Sequence, residues 1–203
     1  MPATKETTAA MIPAAGNSGR MGIPKPLIKM PDGRTFLEQI VSVYFELEID
    51  PVVVVVNPTI FKVIDYRKPV FFKHVQWVIN PEPEKGRMKS IAMGLAKVTG
   101  KEYCFVQNVD QPFATSTLLG DMMRFAEHGS FITPTFQGRG GHPLLVNRAV
   151  RDHLMGSFKD FETLKDALES FERYCFKTDD PNVCKNINTP EDYFDAFGTA
   201  LNV

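Results

Sequence analysis

Two cations near the start of the chain, Arg20 and Lys25, stand in the stretch AAMIPAAGNSGRMGIPKPLI from Ala9 to Ile28, which holds no carboxylate. Gly16, Gly19 and Gly22 interrupt it. Glycine removes the side chain where a backbone turns sharply or a ligand approaches. Turning backbone also exposes N–H groups that cradle phosphate oxygens. Arg20 adds a forked set of donors and Lys25 a mobile point charge. Such a loop suits a polyphosphate. It matches neither the dinucleotide fingerprint G-x-G-x-x-G nor the P-loop ending GK[ST], so its geometry would differ from both. A surface loop with two solvated cations is the other reading that composition leaves open.

Further along, Asp110 ends an apolar run and precedes Gln111 and Pro112. A carboxylate there suits a hard divalent cation such as Mg²⁺, or else caps a turn. Lys89 and Ser90 fall at an expected helix start, where dipole and free N–H groups favour an anion. Gly86 permits the turn before it. Arg87 and Lys89 serve equally well as solvated surface charges. Asn80 and Pro81 close an expected strand, where a base or ribose would rest. Ala14 and Ala15 are small enough for a base to pack flat and be read by main-chain groups. No Ser-His-Asp or Cys-His pattern of known spacing is present.

The elements that must position these residues follow from periodicity. AAMIP (Ala9 to Pro13) reads as a first buried strand and the valine run after Pro51 as the strongest. An unbroken valine run fits a parallel strand covered on both faces. VQWVIN, YCFVQNV, SFITPTF, HPLLVN and YCFKT read as further strands, HPLLVN running the other way. Helices are expected from Thr35, with Phe36, Ile40, Val43 and Leu47 on one side, and over Thr59–Tyr66, Lys89–Val98, Thr115–His128, Leu164–Phe171 and Pro190–Phe197. Thr189 is the expected cap of the last, with Pro190 at its first position. Alternating strands and helices predict an α/β class, a Rossmann-like three-layer α/β/α fold with a mainly parallel mixed sheet. Ligands in such sheets sit beyond the carboxyl ends of the strands. The polar, glycine-rich segments fall at that edge.

The 203 residues have a formal net charge of −1, are 43% hydrophobic and 23% charged. This suits one globular domain, here 9–203, after a flexible tail over 1–8. The charge balance demands no nucleic-acid face, and no apolar run is long enough to span a membrane. Cys104, Cys175 and Cys184 are widely spaced, without CxxC, which points to a reducing, cytoplasmic setting and gives no zinc site. Oligomeric state is not legible.

The segment PAAGNSGRMGIPKPL resembles the signature AAGxSxRMGxxKxL of the MobA-like NTP transferases, nucleotidyltransferases of glycosyltransferase-A-type fold. It is met at Ala14, Ala15, Gly16, Ser18, Arg20, Met21, Gly22, Lys25 and Leu27. NPEPEKGRMKSIAMGL, DQPF, GGHP and NINTPEDY then follow in the family's order. The nearest subgroup is that of the molybdenum cofactor cytidylyltransferases. The resemblance implies that Ala14, Ala15, Gly16, Ser18, Gly19, Asn80 and Ser90 contact the nucleotide, and that Arg20, Lys25 and Asp110 are catalytic. It also implies that Asp110, with the late segment, binds the catalytic Mg²⁺. In that segment Asn186 and Asn188 stand where the family has aspartates; an amide oxygen still coordinates Mg²⁺ but brings no charge. The Ala-Ala-Gly form tilts the base toward CTP. QGRGGHPLLV belongs to the acceptor side, with Gly138, Gly140 and Gly141 allowing close approach and Arg139 gripping an acceptor phosphate. His142 orients a substrate oxygen or packs as a strand residue. The family's GDxGAR segment is replaced by GSFKDFETLKDAL, which changes the acceptor pocket most. The implied reaction moves a nucleoside monophosphate from an NTP to a phosphorylated or hydroxyl-bearing small molecule, releasing pyrophosphate. Sugar-phosphate nucleotidyl transfer from UTP or another NTP, a glycosyltransferase and a non-catalytic nucleotide-binding module are the alternatives.

Overall fold

The valine run folds as β2 (Val52–Val56), with every side chain buried. Side chains alternate across a strand. Val52, Val54 and Val56 therefore enter one hydrophobic cluster, and Val53 and Val55 the other. A strand can be apolar at every position only when helices cover both faces. The structure, a computed structural model, describes residues 2–16, 18–67 and 70–201.

β1 (Thr8–Pro13), β3 (Val75–Ile79) and β4 (Tyr103–Val106) join β2 in parallel, in the order β3-β2-β1-β4. The sheet then turns mixed. β7 (Leu144–Asn147) runs antiparallel to β4 and to β5 (Phe131–Phe136). β5 pairs in parallel with β8 (Arg173–Lys177) and, briefly, antiparallel with β6 (Arg139–Gly140). The reversed direction expected of HPLLVN is the one seen.

α1 (Phe36–Glu46), α2 (Pro58–Arg67) and α4 (Ser116–Arg124) cover one face through Ile40, Tyr44, Ile60, Leu119 and Met122. α3 (Arg87–Leu95), α5 (Arg148–Gly156) and α6 (Leu164–Leu168) cover the other through Ile91, Leu95, Val150, Leu154 and Leu164. The result is the three-layer α/β/α fold with a mixed, mostly parallel sheet. α7 (Pro190–Phe197) closes the chain in a smaller cluster with Met21, Ile28 and Phe36. α3 lies tight on the sheet. A Cβ at Gly94 would stand 2.5 Å from Met11 Cγ and 2.8 Å from Val55 Cγ2.

Several boundaries differ from expectation. β1 starts at Thr8, which pairs with Tyr103. α3 begins two residues before Lys89, so Lys89 and Ser90 lie inside its first turns. The helix expected over Thr115–His128 is α4 followed by a 3₁₀ turn, Ala126–His128. α6 stops at Leu168. α5 was not anticipated: it follows β7 with no glycine or proline between them, and Asn147 caps it through Val150 N–H at 3.0 Å. Among the described residues no helix is long and apolar enough to cross a membrane.

Candidate active site

The carboxyl ends of β1 and β4 open into a cleft of about 460 Å³. The loop after β1 forms one wall. Ser18 has φ 49° and Gly22 φ 68°. The left-handed turn at Gly22 is open to glycine without strain, whereas Ser18 needs local support. Ser18 has it: its Oγ accepts Lys25 N–H at 3.0 Å, and its carbonyl accepts Met21 N–H at 3.0 Å. Ala14, Ala15, Gly16, Ser18, Gly19, Arg20 and Lys25 all line the cleft. Ala14 and Ala15 are 1% and 2% exposed, so they form a flat, shallow floor. Asn57, at the end of β2, anchors that floor by donating to the Ala15 carbonyl at 2.9 Å.

Asp110 and Asn188 meet across the cleft from that loop. Lys25 Nζ donates to Asp110 Oδ2 at 2.9 Å and to Asn188 Oδ1 at 2.6 Å. The two positions are far apart in sequence, and the fold brings them together through a main-chain bond, Ile187 N–H to the Asp110 carbonyl at 2.9 Å. Asn188 is held from behind as well. Asp192 accepts its N–H at 2.8 Å and that of Thr189 at 2.9 Å, while Thr189 Oγ1 caps α7. The cap is therefore Thr189, as expected, and the Asn188 amide is left to face Lys25.

Those two oxygens also decide whether a metal fits. Among the described residues no group of three or more His, Cys, Asp or Glu could hold one. Mg²⁺ does not need such a cage: it takes one or two protein oxygens and completes its shell with water and substrate phosphates. Asp110 Oδ2 and Asn188 Oδ1 already converge on a single cationic nitrogen. The pair fits that sparse ligation.

α3 supplies the third wall. It starts after Gly86, at φ 95°, and has no side-chain cap. Its first N–H groups therefore lack the satisfaction that Thr35, Thr115, Thr163 and Thr189 give other helices. Ser90 lines the cleft. Asn80 does not; it is fully buried behind Ser90, donating to Ser90 Oγ at 2.9 Å and accepting Glu82 N–H at 3.0 Å. Its place is that of a support. Lys89 turns away to pair with Glu82. Hydrogen bonds from Lys85 and Lys89 pull the Glu82 carboxyl down to about 2.

Arg87 lines the cleft and donates to Asn108 Oδ1. Much of its surface reaches solvent, yet desolvation of the guanidinium lowers its pKa, with Asp110 opposing the shift. A guanidinium stays charged under such a shift. Arg87, Asn108 and Asn57 are site residues that the motifs did not single out. Asn57 and Asn108 each follow a strand end, the position where such folds place ligand groups.

Gly141 and His142 lie elsewhere, in a second cleft of about 560 Å³ that shares Arg87 with the first. A Cβ at Gly141 would stand 2.2 Å from the Val183 carbonyl oxygen, so only glycine lets these segments touch. His142 Nδ1 is buried without a hydrogen-bond partner among the described residues. Burial first, and Arg87 second, push the His142 imidazole down to about 4. Arg139 is exposed on β6 and lines neither cleft. Asn186 is exposed as well.

A family model for the MobA-like NTP transferase domain matches residues 10–174. No curated protein matches. Among solved structures, Rv0371c from Mycobacterium tuberculosis H37Rv in complex with manganese superposes with TM-score 0.77 at 16% identity, covering 96% of this chain and 100% of that one. The 4-diphosphocytidyl-2C-methyl-D-erythritol synthase of Anaerococcus prevotii gives 0.76 at 16% identity, covering 96% of each chain. Molybdopterin-guanine dinucleotide biosynthesis protein A of Archaeoglobus fulgidus gives 0.69 at 17%, covering 94% of this chain and 97% of that one. At these identities the likeness is one of fold.

Proposed function

The chain belongs to the MobA-like NTP transferase family, a family of nucleotidyltransferases, and from that premise we propose that it transfers CMP from CTP, with Mg²⁺, to a small phosphorylated or hydroxyl-bearing acceptor. One observation carries the reading: Lys25, Asp110 and Asn188 converge beside the glycine-rich loop, on a cleft that also holds the uncapped start of α3.

The chemistry follows from these groups. The base packs on Ala14 and Ala15 and meets Ser90, which Asn80 holds in place. The phosphates lie along the loop, where main-chain N–H groups and Arg20 receive them. An acceptor oxygen attacks the α-phosphorus, the bond from that phosphorus to the β-phosphate bridging oxygen breaks, and pyrophosphate leaves with the electron pair. Lys25 swings from Asp110 and Asn188 to the leaving pyrophosphate, exchanging one anionic partner for another. Asp110 and Asn188 would hold the divalent cation, which supplies Lewis-acid polarisation of the phosphate oxygens. A phosphate acceptor is ionised near neutral pH, so no strong general base is needed. Positioning and preorganised charge account for the acceleration.

The test is pyrophosphate release from CTP, UTP, GTP and ATP in turn, with Mg²⁺ and a panel of phosphorylated and hydroxyl acceptors, after ranking the nucleotides by thermal shift. Binding only the folded form, the right nucleotide raises stability by linkage. CTP is expected to give the largest shift and the only rapid release. Silence with every pairing would refute the reading.

A further inference from the structure

The second cleft has its own chemistry. Phe131, Leu164 and Phe171 give it apolar walls that continue the hydrophobic core. Arg87, Lys165 and Arg173 line it against one carboxylate, Glu169. The Arg173 guanidinium forms no ion pair or hydrogen bond with any described residue. Its guanidinium lies over β6 and β5: a Cβ at Gly140 would stand 2.5 Å from Arg173 Nη2 and 3.3 Å from Thr133 Cγ2. Arg87 is held on the other side, at Asn108 just past the end of β4. β5 lies two strands from β4, with β7 between them. Both side chains border this one cleft, Arg87 held at Asn108 and Arg173 lying over β5 and β6.

We infer that this cleft binds an acceptor with two anionic groups joined by an apolar, preferably aromatic, body: the attacking phosphate at Arg87 and a second anion at Arg173. The inference rests on the nucleotidyltransferase reading only for which end reacts. Arg87 borders both clefts, so the end it holds is the one that reaches the α-phosphorus. Arg173 borders the second cleft alone and serves recognition. A forked guanidinium without a protein partner matches a carboxylate or phosphate in bidentate fashion. A volume of about 560 Å³ lies in the range of small-molecule sites.

The experiment compares two probes on the full chain by calorimetry: phenyl phosphate and 4-carboxyphenyl phosphate, which differ only in the distal anion. The carboxylated probe is expected to bind about tenfold or more tightly, the scale of one charged hydrogen bond. Arg173→Met removes a surface charge and should erase that advantage while affinity for CTP with Mg²⁺ is retained. Gly140→Ala keeps the charge but displaces the guanidinium, the far end of a flexible side chain, with Thr133 Cγ2 giving by a few tenths of an ångström, and should erase the advantage as well. Equal binding of the two probes, or an advantage that survives both substitutions, overturns the inference. A carboxylate advantage that both substitutions erase, in a protein that releases pyrophosphate from no NTP, would support the inference and remove the catalytic reading beside it.

Discussion

The two clefts lie side by side and are built from different material. The first sits where parallel strands end, and it joins main chain (the loop after β1, the bare start of α3, the turn after β4) to the side chains of Lys25, Asp110 and Asn188. The second lies over the mixed half of the sheet and is shaped by side chains from β5, β8, α6 and the Gly140–His142 segment. Main-chain groups recognise what every nucleotide shares, its phosphates. Side chains recognise what distinguishes one small molecule from another. On the proposed reading, the first cleft carries the reaction and the second the selectivity.

Removing the carboxylate of the first cleft should break that division most severely. Asp110→Ala deletes a contact of Lys25 and one of the two oxygens that would hold a divalent cation. Pyrophosphate release should fall by at least about 100-fold, the loss seen when one preorganised electrostatic group is deleted. Calorimetry should show manganese binding lost as well. A full rate in a folded Asp110→Ala protein would move the chemistry out of this cleft.

Lys25→Met comes next and has two opposed effects. Turnover should drop about 10- to 100-fold, since a charged hydrogen bond is worth roughly 1.5–3 kcal/mol. Manganese should bind more tightly in the absence of nucleotide, because the ammonium no longer competes for Asp110 and Asn188. Weaker metal binding in this variant would mean that Lys25 and the cation do not share those oxygens.

The same contrast explains what the sequence disclosed. The valine run, the glycine-spaced loop and the Thr189 cap act through their immediate neighbours, so local pattern revealed them. That the first four strands run parallel follows from their alternation with helices; their order in the sheet does not. Asn80 reads as a ligand because it ends a strand, but burial turns it into the support of Ser90. Arg87 reads equally as a ligand contact and as a surface charge, because nothing nearby in sequence announces Asn108 as its partner. Arg173 gave no sign at all. Its role depends on β8 pairing with β5 and on the absent side chain of Gly140, both long-range facts. α5 was missed because its cap, Asn147, doubles as the last residue of β7.

His142 offers a gentler perturbation of the second cleft. Its imidazole is pushed from 6.5 to about 4, chiefly by burial. The folded form therefore binds fewer protons than the unfolded one between those values, and stability falls as pH drops from about 6.5 toward 4. His142→Gln should flatten this slope, removing roughly 3 kcal/mol of acid sensitivity in denaturant unfolding followed across that window. An unchanged slope would place the imidazole in contact with water.

Arg139→Ala should have the smallest effect, and it tests the comparison from outside both clefts. Sequence pattern places this cation on the acceptor phosphate, yet its side chain stands exposed on the two-residue strand β6. The backbone contribution of Arg139 is separate: its carbonyl lies 3.4 Å from Cys184 Sγ, and its pairing with Phe136 shapes the turn. Alanine retains both. What remains is the long-range attraction of one solvated charge for an anionic acceptor, which salt screens over about 8 Å at physiological ionic strength. The expected change in kcat/KM is less than about threefold, an energy within the range of exposed charge pairs, and it should vanish at high salt. A tenfold loss that persists at high salt would put Arg139 in direct contact with the acceptor and extend the second cleft to β6.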